Sequence, residues 1–472
     1  METIEKVIRT EFGYVKGETH PSDENVLRFL GIPYAAAPTG DLYLAAPAPH
    51  PGWDGVRDAT ELPPTPQKRP YSDDALLIDP SIPGDEILNL NVFTPKDAQN
   101  LPVLVWIHGG GFKSGVAASP LSDGRKFASK GIVFVSLSYR LGFEGFGWVK
   151  DAPANRGFLD QQAALAWVRR NIEAFGGDPN RVTISGQSAG GGSVLAHLTT
   201  PTSQHLFDRA ISESGVLPPM SEEEARYRAQ MVADLLGVEL TVEGIAGAKE
   251  RLLDAEVEVE TRIYEAWPGA SSFVADRLAG IPMSDLPFTP WQDGEVIPYT
   301  IDEGVERGVG ADKPLLLTAT SEEFNDILAG MAGELDALDA VQVLTEGGLE
   351  NAQEYVDAHP RANTTSLILG QIVTDAIFVW PAIDIMRRRR ADGAAHTAMY
   401  LFEWSPALDD PTVNQVQQWS RHCIDIPFAF DLLEEPMALP MIGDNPPVKL
   451  AQDLHGQWVD FTKGRDVPGN VE

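Results

Sequence analysis

In the segment Gly186-Gln187-Ser188-Ala189-Gly190 a serine stands midway between two glycines. A serine hydroxyl is a weak nucleophile, reactive only when a base takes its proton and the chain presents it clear of its neighbours. Glycines on either side permit a tight turn that lifts such a side chain above the end of a sheet. The same pattern also suits a structural glycine-rich turn, so its surroundings decide. RVTIS (181–185) before it reads as a buried strand, and AGGGSVLAHL after it has helical character. Ser188 therefore falls on a strand-to-helix turn, where the helix N-terminus carries partial positive charge close to any oxyanion that develops on a substrate.

A second segment supplies what such an oxyanion needs. His108-Gly109-Gly110-Gly111-Phe112 follows the apolar run LPVLVWI. Glycines there let backbone N–H groups approach a reacting carbonyl, and Gly110, Gly111 and Ala189 are the candidate donors. His108 is read as a brace for this loop, since a histidine at a strand end in this motif holds the turn more often than it moves protons.

Further blocks stand in order along the chain: FLGIPYAAAPTG (29–40), GDEILNLNVFTP (84–95), SYRLGFEGF (138–146) and NRGFLDQQAALAWVRRNIEAFGGDPNRVTISGQSAGG (155–191). Together with the two glycine motifs they resemble the type-B carboxylesterase family, its bacterial members above all. The resemblance implies an α/β-hydrolase fold, with a mostly parallel central sheet flanked by helices and helical insertions over the active site. It also implies hydrolysis of small to medium carboxylic esters, aromatic ones included in view of the aromatic residues named below, through an acyl-enzyme and without a cofactor or metal. In that fold the triad runs serine, acid, histidine, so both partners of Ser188 lie after it. Of His197, His205, His359, His396, His422 and His455, only His422 sits in a segment, HCIDIPFAF, similar to the family's histidine loop. PLLLTATSEEF delivers Glu322 and Glu323 from a strand end, and the resemblance selects Glu323, leaving Glu322 to solvent. Ser214 and Asp375 resemble a hydrogen-bonding pair that supports the histidine loop.

Departures from the family pattern are informative. Gln187 stands where many relatives carry Glu, removing a negative charge next to His422. Phe324 replaces a glycine after the acid. Cys423 occupies a place that is often small, and Ile87 one where extracellular relatives carry a disulfide cysteine.

These residues need a scaffold. Buried strands are predicted at 101–108, 132–139, 181–185, 314–320 and 398–404, and helices at 158–175 and 449–463, alternating as a parallel sheet covered by helices requires. Acidic, alanine-rich helical patterns without strands fill about 217–310 and 328–370 and read as insertions in a single domain spanning 1–472. Phe112, Phe143, Trp267, Phe273 and Phe288 are candidate pocket walls.

Composition narrows the partners. The formal charge is -33, from 69 acidic and 36 basic residues, which repels phosphate backbones and anionic membranes. A small-molecule ester is the expected partner, with no nucleic acid and no membrane, and the chain is expected as a monomer or small homo-oligomer. No apolar window approaches membrane-helix length, and the first thirty residues hold no signal-peptide stretch. Cys423 is the only cysteine, which rules out an intramolecular disulfide and suits a reducing cytoplasm. No H-E-x-x-H spacing suggests a metal. Two other readings share the scaffold: an amidase, carbamate or lactone hydrolase using the same triad, and a binding module without catalysis.

Overall fold

The computed structural model describes residues 4–70, 79–265, 269–279, 286–407 and 418–471. Its centre is an eleven-stranded sheet. The strands are β1 (Glu5–Arg9), β2 (Tyr14–His20), β3 (Asp23–Pro33), β4 (Val56–Asp58), β5 (Asn89–Pro95), β6 (Leu101–Ile107), β7 (Val133–Leu137), β8 (Gly177–Gln187), β9 (Arg209–Glu213), β10 (Leu315–Thr320) and β11 (Thr397–Phe402). Their order is β1-β2-β3-β5-β7-β6-β8-β9-β10-β11, with β4 beside β2. From β7 to β11 all neighbours are parallel, whereas β1, β2, β3, β5 and β7 pair antiparallel.

The central strands are apolar on both faces because helices cover both. Val103, Val105 and Ile107 of β6 join the core beneath the helices Arg156–Asn171 and Ala189–Thr199. Leu104 and Trp106, alternating with them, face Phe127, Phe430 and the helix Val448–Thr462. The helix Arg156–Asn171 buries Phe158, Gln161, Ala164, Leu165 and Val168, one face at helical spacing. It continues as a tighter turn to Phe175 and stops at Gly176, whose φ of 83° is cheap only for glycine.

The predicted strands and helices of the parallel half are present. The antiparallel half and β9 lie outside those expectations. β1, EKVIR, has a single buried residue, so it offers no apolar run to read. The segments taken as insertions carry the helices Glu222–Leu236, Val242–Ala246, Lys249–Glu265, Ala270–Leu278 and Ile301–Glu306, then Ala332–Leu335, Ala340–Glu346 and Ala352–Ala358.

One helical stretch departs from the sequence reading. Thr365–Ala391 is 27 residues long, with a window of mean hydropathy 1.6, enough by length and composition to cross a bilayer. Of that window 61% is buried inside the fold, which accounts for its apolarity as that of a core helix.

Candidate active site

β6 and β8 run side by side in register, Ile107 opposite Gly186, and β8 and β9 likewise pair Gln187 with Glu213. The loops leaving these strands therefore meet at one edge of the sheet, the edge at which open α/β sheets place ligands. Ser188 stands there at φ 58° and ψ -122°. This conformation is sparsely populated for a residue with a Cβ and costs on the order of 1–3 kcal/mol. Its surroundings impose it: the Ser188 N–H donates to the Glu213 carbonyl at 2.9 Å, and its carbonyl accepts from Gly192 at 2.8 Å and Val216 at 3.2 Å. The helix that follows packs so closely that a Cβ on Gly190 would run into the Ile107 carbonyl.

The glycine loop approaches from the end of β6. A Cβ on Gly109 would lie 2.7 Å from the Gln187 carbonyl oxygen, so only glycine permits this proximity. Gly110 and Gly111 have φ of 102° and 59°. Among the described residues the N–H groups of Gly110, Gly111 and Ala189 donate to no protein acceptor. His108 is buried, with Nδ1 2.8 Å from the Gly109 carbonyl and its ring stacked on Tyr139 at 4.5 Å. Burial pushes this imidazole down to about 4, which keeps it neutral and suits a brace.

β10 ends in a turn carrying Glu323, fully buried, whose Oε1 accepts from the Thr320 N–H at 2.8 Å. Its Oε2 lies 2.5 Å from His422 Nδ1, and its backbone carbonyl accepts from the His422 N–H at 3.0 Å. The other ring nitrogen, Nε2, is 3.2 Å from Gln187 Nε2; among the described residues Ser188 Oγ makes no hydrogen bond to it. Phe324 and Phe378 flank the imidazole, ring centroids 4.9 and 5.0 Å away. Burial alone would lower the His422 pKa, but Cys423 and the Glu323 carboxylate outweigh it and hold the group well above the ordinary histidine range. Ser188, Gln187, His422 and Gly109–Gly111 share a cavity of about 250 Å³.

A carboxylesterase family model matches residues 4–470. The chain belongs to the carboxylesterase family. It is 33% identical to a para-nitrobenzyl esterase of Bacillus subtilis (strain 168), over 97% of this chain and 90% of that protein. A cocaine esterase of Oryctolagus cuniculus is 32% identical, over 99% and 89%. A solved PNB esterase structure superposes with a TM-score of 0.78 at 30% identity, covering 98% of this chain and 91% of that one. A carboxylesterase of Geobacillus stearothermophilus gives 0.74 at 29% identity, covering 98% and 91%. The protein is a carboxylesterase, a serine hydrolase of carboxylic esters with the α/β-hydrolase fold.

In this carboxylesterase the supporting residues differ from the sequence expectation. Ser214 and Asp375 do not pair. Among the described residues Ser214 Oγ is buried without a hydrogen-bond partner, while Asp375 accepts from Tyr355 Oη at 2.6 Å and Gln371 Nε2 at 3.1 Å. Gln371 also donates to the Ser321 carbonyl at 3.1 Å, so Asp375 steadies the turn that carries Glu323 rather than the histidine loop. Glu322 is buried, not solvated: it accepts from the Ser420 N–H at 2.8 Å and pairs with Arg361 at 3.2 Å, pinning the chain just before His422. Phe324 keeps a negative φ, so the turn after the acid does not need glycine.

Two groups behind the imidazole escaped the sequence reading. Asp425 and Glu213 are fully buried carboxyls that face one another, among the described residues without a hydrogen bond of good geometry. Burial and then the charge of Glu323 push Asp425 up to about 7, and burial with the charge of Asp425 raises Glu213 well above its usual value. An aspartate flanked by isoleucines in HCIDIPF was the available signal. The cavity walls also differ. Phe112, Phe143 and Phe288 are core residues, Phe143 packing edge-on against Phe288 at 5.4 Å, and Phe273 belongs to a separate cluster with Val274 and Leu344. Trp267 lies outside the described residues. The apolar wall comes instead from Trp106, Val116, Leu121, Phe324, Ile426 and Met441.

Proposed function

We propose that this carboxylesterase hydrolyses small to medium esters through Ser188, His422 and Glu323, by way of an acyl-enzyme. The observation that carries the reading is His422 Nδ1 held 2.5 Å from a fully buried Glu323, in the cavity that also holds Ser188 and the glycine loop. A carboxylate on Nδ1 fixes that proton, which leaves Nε2 as the basic atom facing the cavity.

In the first half-reaction Nε2 takes the Ser188 proton as Oγ attacks the ester carbonyl. The charge that gathers on the carbonyl oxygen is met by the N–H groups of Gly110, Gly111 and Ala189, fixed in place before the reaction begins. Glu323 stabilises the imidazolium, which then protonates the departing alkoxide. A water deprotonated by the same nitrogen releases the acid and restores the serine. The apolar wall from Trp106 to Met441 takes one hydrocarbon arm of the ester.

The test is a series of p-nitrophenyl esters of increasing acyl length, run beside the matching aryl amides. Turnover should peak at short to medium acyl groups, with amides far slower. Amide turnover comparable with that of esters would move the assignment to an amidase.

A further inference from the structure

The atom that meets the lone pair of His422 is an amide nitrogen, not the serine hydroxyl. With Nδ1–H donated to Glu323, the neutral imidazole has only an acceptor at Nε2. Of the two ends of the Gln187 amide, the NH₂ is the one that can face it, and it does so at 3.2 Å. The orientation follows from this network. Gln187 is 2% exposed and is the last residue of β8, paired in register with Glu213. Its Oε1 lies against Gly109, where a Cβ would come within 2.9 Å. The amide thus spans the gap between the glycine loop and the base.

Resting on the reading of Ser188, His422 and Glu323 given above, we propose that Gln187 is a positioning residue that latches His422 in its neutral, acceptor form, and that the Ser188 hydroxyl displaces it when substrate binds. The latch has a protonation signature. An N–H donor aimed at Nε2 favours the unprotonated ring and opposes the imidazolium, whose own N–H would point at it. It works against the groups that favour the cation. These are Glu323 from the turn after β10, Cys423 and Asp425 from the histidine's own loop, and Glu213 at the end of β9 behind Asp425. Arg421, adjacent to the histidine, lies 3.5 Å from Asp326, and the Asp375–Val379 turn contributes the uncharged ring of Phe378.

The experiment is the pH profile of kcat/KM on p-nitrophenyl acetate for wild type, Gln187→Met and Gln187→Glu. Methionine removes the donor at similar size, and glutamate replaces it with an acceptor of opposite effect. The acid limb should move to higher pH by roughly half a unit to one unit in Gln187→Met, as loss of one hydrogen bond to the neutral form requires, and further in Gln187→Glu. A role in packing alone would lower the rate and leave the limb in place. Coincident limbs in all three proteins overturn the proposal. Should either variant fold poorly, as near-ultraviolet circular dichroism would report, nitrogen-15 histidine spectra of the wild type decide. On the alkaline side of the acid limb Nε2 of His422 should carry no proton and show the shift of a hydrogen-bonded acceptor; an unbonded Nε2 there overturns the proposal. A Ser188→Ala control separates the two readings: if it stays active the triad falls, and if it is dead while the limb stays fixed, only the latch falls.

Discussion

A carboxylate with no exposure to water, 2.5 Å from an imidazole, is tolerable only because its charge has partners. Glu323 has the Thr320 N–H on one oxygen and His422 on the other, so its value to the site is orientation as much as charge. Glu323→Gln keeps the size of the side chain and removes the charge that fixes the tautomer. kcat on p-nitrophenyl acetate should fall by about 10³–10⁴-fold while the thermal midpoint stays within a few degrees. A loss below tenfold would place the acid elsewhere, with Glu322 and Asp425 as the nearby carboxyls to examine. Glu322 and Glu323 also show what adjacent residues of one type conceal. Both follow the strand end, and composition cannot say that Glu322 turns to Ser420 and Arg361 while Glu323 turns to the histidine. That choice depends on where the 418–422 segment crosses, far along the chain.

At the scale of elements, the helix Lys249–Glu265 is tied to the active-site loops. Lys113, next to the glycine loop, pairs with Glu260, and Lys249 lies 3.8 Å from Glu144 in the helical turn Gly142–Phe146. Glu256 keeps part of its surface in solvent, but its carboxyl is enclosed beside Phe143, and burial together with Glu144 and Glu260 pushes it up to about 8. An unfolded glutamate titrates near 4.5. Below that pH both states hold the proton and the group contributes nothing. Between that pH and about 8 the folded state binds more protons than the unfolded one, so stability falls as pH rises. Glu256→Gln should abolish this decline, worth on the order of 4 kcal/mol, as urea midpoints at pH 5 and pH 9 would show. An unchanged slope in the variant would assign the decline to other groups.

Elements also mark how far the sequence could be read. β6, β8 and β10 were legible because each carries a buried run rich in aliphatic and β-branched residues, in β8 only from Val182 onward, and the helices between them repeat with their own period. β1, at the sheet's edge, and β2 beside it were not, since EKVIR and YVKGETH carry charged residues along their length and owe their place to their neighbours. The glycine motifs were legible because close approach admits no other residue. The pocket walls were not: Phe112, Phe143 and Phe288 are aromatic residues near the site, and only the packed structure shows them turned into the core while Leu121 and Met441 face the cavity.

For the whole molecule the governing quantity is the formal charge of -33. Like charges spread over one folded body repel, and salt screens them over about 10 Å at 0.1 M. The thermal midpoint should therefore rise by a few degrees between 10 and 200 mM sodium chloride at pH 8, as scanning calorimetry can record. A midpoint that falls with salt would mean that surface ion pairs such as Arg170 with Glu11 outweigh the repulsion. The proposed mechanism turns on one hydroxyl, that of Ser188. The direct test is hydrolysis of p-nitrophenyl acetate by wild type and by Ser188→Ala, together with mass-spectrometric mapping of a fluorophosphonate adduct. Wild type should hydrolyse the ester and carry the adduct on Ser188, and the alanine variant should lose at least about 10⁴-fold in kcat and take up no label. An alanine variant that hydrolyses at the wild-type rate, or a label found on another residue, would contradict the assignment.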